Sequence, residues 1–138
     1  MWIAILEDTE TRRVAMTASL APEVRVSVVF FERAPLMIDW LKSHLADCAL
    51  ISLDHDLVAT SPGEDWGKGA HVAEFLGAQT PCCPVIVHTA NYLEAPLMLY
   101  WLERGAWRVE RVAPFNDLEW IDIEWAPTVR RLLAAQNG

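Results

Sequence analysis

Five short strand-type runs, four of them mainly apolar, each closed by charged or turn-forming residues and followed by a helical pattern, limit what this chain can become. They are WIAIL (2–6), the β-branched VRVSVVFF (24–31), ALISL (49–53), PVIVHT (84–89) and WRVERV (107–112). Continuous apolar runs of this length suit strands buried on both faces of a parallel sheet. Helical patterns are expected over 11–20, from Pro35 through Leu45, over 69–78, over 95–104 with Gly105 as a C-cap, and over 127–136. Residues 60–69, rich in Ser, Pro, Gly and Asp, read as a loop. Strands alternating with helices imply an α/β parallel sheet covered on both faces, and right-handed crossovers restrict it to a few doubly wound forms. In such sheets ligands sit at the carboxyl ends of the strands.

The 138 residues fit one domain, 1–138, and 53% hydrophobic residues with seven Trp supply a full core. The formal charge of −8 argues against coating a long nucleic acid, which needs clustered Lys and Arg. A small phosphorylated ligand stays compatible with it, because a bound divalent cation reverses the local field. No apolar run is long enough to cross a bilayer, and MWIAILEDTE turns acidic where a leader would be basic. Cys48 and the vicinal Cys82 and Cys83 lack a zinc-binding spacing and suggest reduced thiols in a cytoplasmic protein.

The strand ends carry the chemistry. Glu7 and Asp8 close the first run, Asp54, His55 and Asp56 the third, and His88, Thr89 and Asn91 the fourth. If these strands are neighbours, Glu7, Asp8, Asp54 and Asp56 can offer hard oxygen ligands to Mg²⁺ or Mn²⁺. His55 and His88 can serve as base and acid, and Thr89 and Asn91 can donate to phosphate oxygens. Plainer readings exist for most of these groups. Asp8 can cap a helix, Thr89 and Asn91 can build a turn, and His88 can be a satisfied core histidine. Three ionisable groups in a row after ALISL are harder to place without function, since burying them unpaired is costly. His44 suits a helix C-terminus, and His71 starts a helix near the site. Trp40, Trp101 and Trp107 read as core, whereas Trp66, in the loop beside Asp65 and Lys68, reads as an aromatic placed to stack on a base.

The order of acidic pair, third-strand Asp54, fourth-strand Thr89 and fifth-strand APF resembles the response-regulator receiver fold. That resemblance implies a CheY-like, flavodoxin-like three-layer sheet of order 2-1-3-4-5, with Glu7, Asp8 and Asp54 around Mg²⁺ and a carbonyl from Asp56. Receivers carry a Lys before the fifth-strand Pro, and Ala113 stands there instead, with Arg111 nearby. ILEDTETR, SLDHDL (52–57), GKGAHVAEFL and VHTAN (87–91) are more similar to the cyclic-phosphate processing receiver group. This second resemblance implies a metal-assisted phosphoesterase acting on cyclic phosphates of nucleotides or related small molecules, with Arg12 or Arg13 as a charge clamp. A non-catalytic signalling module with Asp54 as phosphoacceptor is the rival reading, and a protein partner or a second copy of the chain is compatible with either.

Overall fold

The computed structural model describes residues 1–21, 26–58 and 63–136. Its five strands are β1 (Trp2–Leu6), β2 (Ser27–Phe31), β3 (Cys48–Leu53), β4 (Val85–Val87) and β5 (Val109–Arg111). All pair in parallel, in the order β2-β1-β3-β4-β5. The helices are α1 (Glu10–Leu20), α2 (Ala34–His44), α3 (Gly69–Gly77), α4 (Ala95–Arg104) and α5 (Ala126–Gln136). The start of the expected second strand at 24–25 and loop residues 60–62 lie outside the described residues.

The period-two alternation of each strand divides the core. Ala4, Leu6, Ile51, Leu53, Val85 and Val87 face α2, α3 and α4, packing on Met37, Leu41, Val72, Leu76, Met98 and Leu102. Ile3, Ile5, Leu50 and Ile86 face α1 and α5, packing on Met16, Leu20, Trp120, Trp125, Val129 and Leu132. β1 and β3 are central and buried on both sides, which is why their sequences run apolar without alternation.

Three elements depart from the sequence expectation, the fourth strand stopping at Val87 and starting at Val85 rather than running over 84–89. The last strand, Val109–Arg111, is shorter than 107–112 and begins late, because Trp107 donates its backbone N–H to Leu102 O instead of to a neighbouring strand, while its indole N–H goes to the Leu76 carbonyl. The Trp-containing segment expected to lead into the last helix is itself helical: a π turn, Ile121–Trp125, runs straight into α5, with Ala126 N–H bonded to Ile121 O. This wider turn lets Trp120 and Trp125, five residues apart, both be fully buried.

The loop after β3 returns against the strand end. Asp56 bridges Lys68, and Gly69 N–H donates to His55 O at 2.9 Å. A Cβ at Gly69 would fall inside the carbonyl of Asp54, which is backbone and cannot swing away. Gly69→Ala is therefore expected to displace the β3 end and lower stability by about 3 kcal/mol, the upper range of overpacking costs, as read from urea unfolding.

Candidate functional site

The sheet register builds the site. Leu6 pairs with Leu53, and Leu53 with Val87, so the next residues, Glu7, Asp54 and His88, form one row across three adjacent strands. Backbone bonds extend the ladders past the strand ends, from Asp54 N–H to Leu6 O and from His88 N–H to Leu53 O. By parity the three side chains emerge on the face covered by α1, Trp120 and Trp125. One ligand atom from each lies within 4.8 Å of the others, and all three residues are buried.

Glu7 is the hub of this row. Its Oε1 meets His88 Nε2 at 3.2 Å and Arg12 at 3.5 Å, and its Oε2 accepts the Thr9 N–H at 3.0 Å. Arg12 also reaches Asp54 Oδ2 at 3.6 Å, with its guanidinium over the Trp120 ring at 5.3 Å. Arg13, considered alongside it in the sequence, turns to the Glu7 carbonyl and to Glu32.

Above the row opens a pocket of about 420 Å³, lined by Asp8, Thr9, Thr11, Arg12, Asp54, Asp56, Val58 and Thr89, with Asn116, Asp117 and Leu118 on the segment after β5. Asp8, Asp54, Asp56, Arg12 and Thr89 thus meet in one place. Neither His55 nor His88 lines it. His88 is fully buried, its two ring nitrogens taken by Glu7 and Ser52. His55 is 1% exposed and meets Asp56 Oδ1 through Nδ1 at 3.1 Å, while its Nε2 has no hydrogen bond and lies 4.0 Å from Glu94. Asn91 supports the wall: its amide donates to both Asp56 oxygens, and its carbonyl accepts the Glu94 N–H. Thr89 Oγ1 accepts the Asn91 N–H, leaving its hydroxyl hydrogen free to donate.

Three further residues take structural places. Trp66 is buried rather than displayed for stacking on a base; its indole donates to Glu64 and Arg33 lies over its ring, since an aromatic this large is held wherever the loop can cover it. His71 accepts the Lys68 N–H at the start of α3, and His44 stacks on Trp40. Ala113, at the position of the receiver lysine, is exposed, and the cation beside Asp54 comes from Arg12 instead. Arg111 donates to the Thr89 carbonyl.

The carboxyl groups respond differently to one burial. Burial pushes both Glu7 and Asp54 up. In Glu7 the hydrogen bond from His88, the Thr9 N–H and the charge of Arg12 more than offset it, and the group ends below its ordinary value. Asp54 has His55 N–H at 2.7 Å but lies against the Glu7 charge, and is pushed up to about 7. Asp8, desolvated and beside Glu7, is raised too, despite accepting the Val58 N–H. Crowded hard oxygens with more negative charge than Arg12 can balance are a donor set that fits a divalent cation. Glu7 and Asp54 belong to the tight cluster; Asp8 and Asp56 stand on the pocket wall.

Sequence reasoning missed Ser52, Trp120, Trp125, Asn116 and Asp117. Ser52 left a signal, because a hydroxyl inside the buried strand CALISL must find a partner. The segment after β5 left almost none beyond an Asn-Asp turn pair, Asn116 taking a φ of 54°.

A family model described as "Cyclic-phosphate processing Receiver domain" matches residues 4–104. No curated protein matches the chain. Among solved structures, a response regulator receiver domain from Rhodospirillum rubrum is 14% identical, with a TM-score of 0.69 and coverage of 99% of this chain and 94% of that one. The signal receiver domain of a putative Luxo repressor protein from Vibrio parahaemolyticus is 18% identical, with a TM-score of 0.67, covering 97% and 90%. The BeF3-activated receiver domain of Klebsiella pneumoniae RstA is 17% identical, with a TM-score of 0.64, covering 96% and 98%. These likenesses show the fold: a receiver-type α/β sheet of order 2-1-3-4-5.

The raised Asp54 carboxyl makes a prediction for the metal-free protein. The folded chain holds that proton up to about pH 7, whereas an unfolded Asp releases it near about 4. Between those values the folded form binds more protons, so this group's contribution to stability falls as pH rises. In EDTA, Asp54→Asn is expected to raise Tm by several degrees at pH 8, with the gain vanishing by about pH 4, as measured by scanning calorimetry.

Proposed function

The chain belongs to the cyclic-phosphate processing receiver family, and we propose that it is a metal-assisted phosphoesterase for the cyclic phosphate of a nucleotide or nucleotide-derived small molecule. One observation carries this reading: a pocket of about 420 Å³ at the strand ends in which Asp8, Asp54 and Asp56 share the wall with Arg12 and Thr89. Pockets of several hundred Å³ suit a single small ligand. Glu7, Asp8 and Asp54 would hold Mg²⁺ or Mn²⁺, with a further oxygen from Asp56. Such an ion polarises a phosphoryl oxygen and makes a bound water more acidic.

The chain's own groups divide the remaining work. Arg12, anchored by Glu7 and Asp54 and backed by Trp120, presents its guanidinium to a phosphate oxygen. Thr89 donates its hydroxyl to another. Asp56, its side chain 62% exposed, has both oxygens oriented by His55 and Asn91; it takes the proton of an attacking water and returns it to the ring oxygen released when the P–O bond breaks. His55 acts through Asp56 and His88 through Glu7, each as a positioning residue. The chemistry follows the pattern of an electrophile, a base and oxyanion donors about one reacting phosphorus.

A second reading has one observation in its favour: Asp54 ends β3 of a receiver fold with a cation 3.6 Å away, which is the setting of a phosphoacceptor. Incubation with acetyl phosphate and intact mass analysis separates the two, since a labile adduct lost in Asp54→Asn supports signalling.

For the enzyme, a panel of 2′,3′-cyclic mononucleotides with Mg²⁺ or Mn²⁺ is expected to give the ring-opened monoester. Asp56→Asn and Arg12→Ala should each lower kcat/KM by about 100-fold, the lower range for a lost proton-transfer group or transition-state donor. No turnover across the panel, or undiminished turnover by Asp56→Asn, would remove the proposal.

A further inference from the structure

Beneath the pocket runs a buried chain of hydrogen bonds that the proposed reaction does not use directly. Trp125 Nε1 lies 3.0 Å from Ser52 Oγ, Ser52 Oγ 2.6 Å from His88 Nδ1, and His88 Nε2 3.2 Å from Glu7 Oε1. Ser52, His88, Glu7 and Trp125 are all fully buried. We infer that Ser52 and Trp125 hold His88 as a hydrogen-bond donor to Glu7, keeping its Nε2 lone pair out of the site and leaving a cation to carboxylate oxygens alone. The inference rests on reading the site as a cation site, and not on hydrolysis.

The direction of the chain follows from what each group can do. An indole nitrogen only donates, so Trp125 occupies a lone pair of the Ser52 oxygen. Among the described residues that oxygen meets just Trp125 and His88, so the one hydroxyl hydrogen is directed at Nδ1. A neutral imidazole that accepts at Nδ1 carries its hydrogen on Nε2, which then donates to the Glu7 carboxylate. The reversed ring state would set a bare Nε2 lone pair against a carboxylate oxygen at 3.2 Å and leave the Ser52 hydrogen without an acceptor. Both faults would be fully desolvated, where unmade hydrogen bonds cost most.

Packing guards the same arrangement. Trp120 stacks on the His88 ring, centroids 5.9 Å apart and planes 21° apart, which restricts ring rotation. Trp120 precedes the π turn and Trp125 closes it, so one local feature supplies both the stack and the first donor of the chain. Glu7, Asp54 and His88 lie close enough to form a mixed oxygen–nitrogen site, of the kind zinc favours. A proton on Nε2 removes the nitrogen, and hard oxygens alone favour Mg²⁺ or Mn²⁺.

The test needs no substrate. Long-range ¹H–¹⁵N spectra of the intact, metal-free protein near neutral pH are expected to show His88 with Nε2 protonated and Nδ1 bare. A bare Nε2, a protonated Nδ1, or a wild-type Nε2 shifted by direct coordination when Zn²⁺ is added overturns the inference. Calorimetric titration with Zn²⁺ and Mn²⁺ supplies the second readout. Ser52→Ala should raise the Zn²⁺-to-Mn²⁺ affinity ratio about ten-fold, the equivalent of one buried hydrogen bond, and Ser52→Thr should restore it. Trp125→Phe keeps an aromatic ring while removing the donor, and should shift the ratio in the same direction if Ser52→Ala fails to fold. Ratios unchanged in a folded variant also overturn it. Absence of phosphoesterase activity sinks the proposed reaction and leaves this result standing, whereas turnover with a zinc-ligated His88 sinks this inference alone.

Discussion

Glu7 is an ionisable carboxyl with no solvent access at the centre of the strand-end row, and the surrounding structure is arranged to satisfy it. A buried carboxylate is tolerable only when charge and hydrogen bonds replace the water it has lost. Here the replacement comes from three groups: the His88 ring that follows β4, and the Thr9 N–H and Arg12 guanidinium at the start of α1, with Asp54 at the end of β3 sharing that guanidinium. Removing the helix, the strand order or the register would leave the carboxyl stranded. Fold and site therefore depend on the same contact.

The neighbouring carboxyl shows the other side of this constraint. Asp54 sits under the same desolvation but meets one backbone N–H and shares Arg12 with Glu7, so its proton is held to about 7. One guanidinium serves two buried carboxyls and lies against the pocket carrying Asp8 and Asp56 as well. This imbalance is what a cation would relieve, and it is why the site reads as more than a structural ion-pair cluster. Ala113, where the receiver resemblance expects a lysine, is exposed and carries no charge, and α1 delivers the cation beside Asp54. The positive group thus reaches Asp54 from the α1 face of the sheet.

Much of this was readable in the residues. WIAIL, ALISL and PVIVHT announce strands buried on both faces, and the ionisable residues that follow them mark the rim that the parallel topology turns into a pocket. Asp8, Asp54, Asp56, Thr89 and Arg12 do meet there. The histidines show where such reading stops. HTAN and LDHD put imidazoles at the strand ends, but which way each ring turns depends on the pleat and on what covers that face. His88 follows the parity of Ile86 into the α1 and α5 side, where Ser52 and Glu7 engage it; His55 turns to Asp56, behind the pocket lining, without lining the pocket itself. Trp66 misled for a related reason: a glycine-rich loop suggests exposure, yet Arg33 and Glu64 enclose the indole.

Local pattern alone decided the element types, the parallel sheet and the identity of the acidic rim, because apolar periodicity and strand-end chemistry are properties of neighbouring residues. Tertiary structure alone decided that Ser52 and Trp125, 73 positions apart, share a hydrogen bond, and that the residues after β5 close the pocket. It also decided that one carboxyl in the row is held below its usual range and the next above it. Those outcomes turn on which atoms lie within about 3 Å of a desolvated group. Chain order does not carry that information; the packing of three strands, one helix and one π turn creates it.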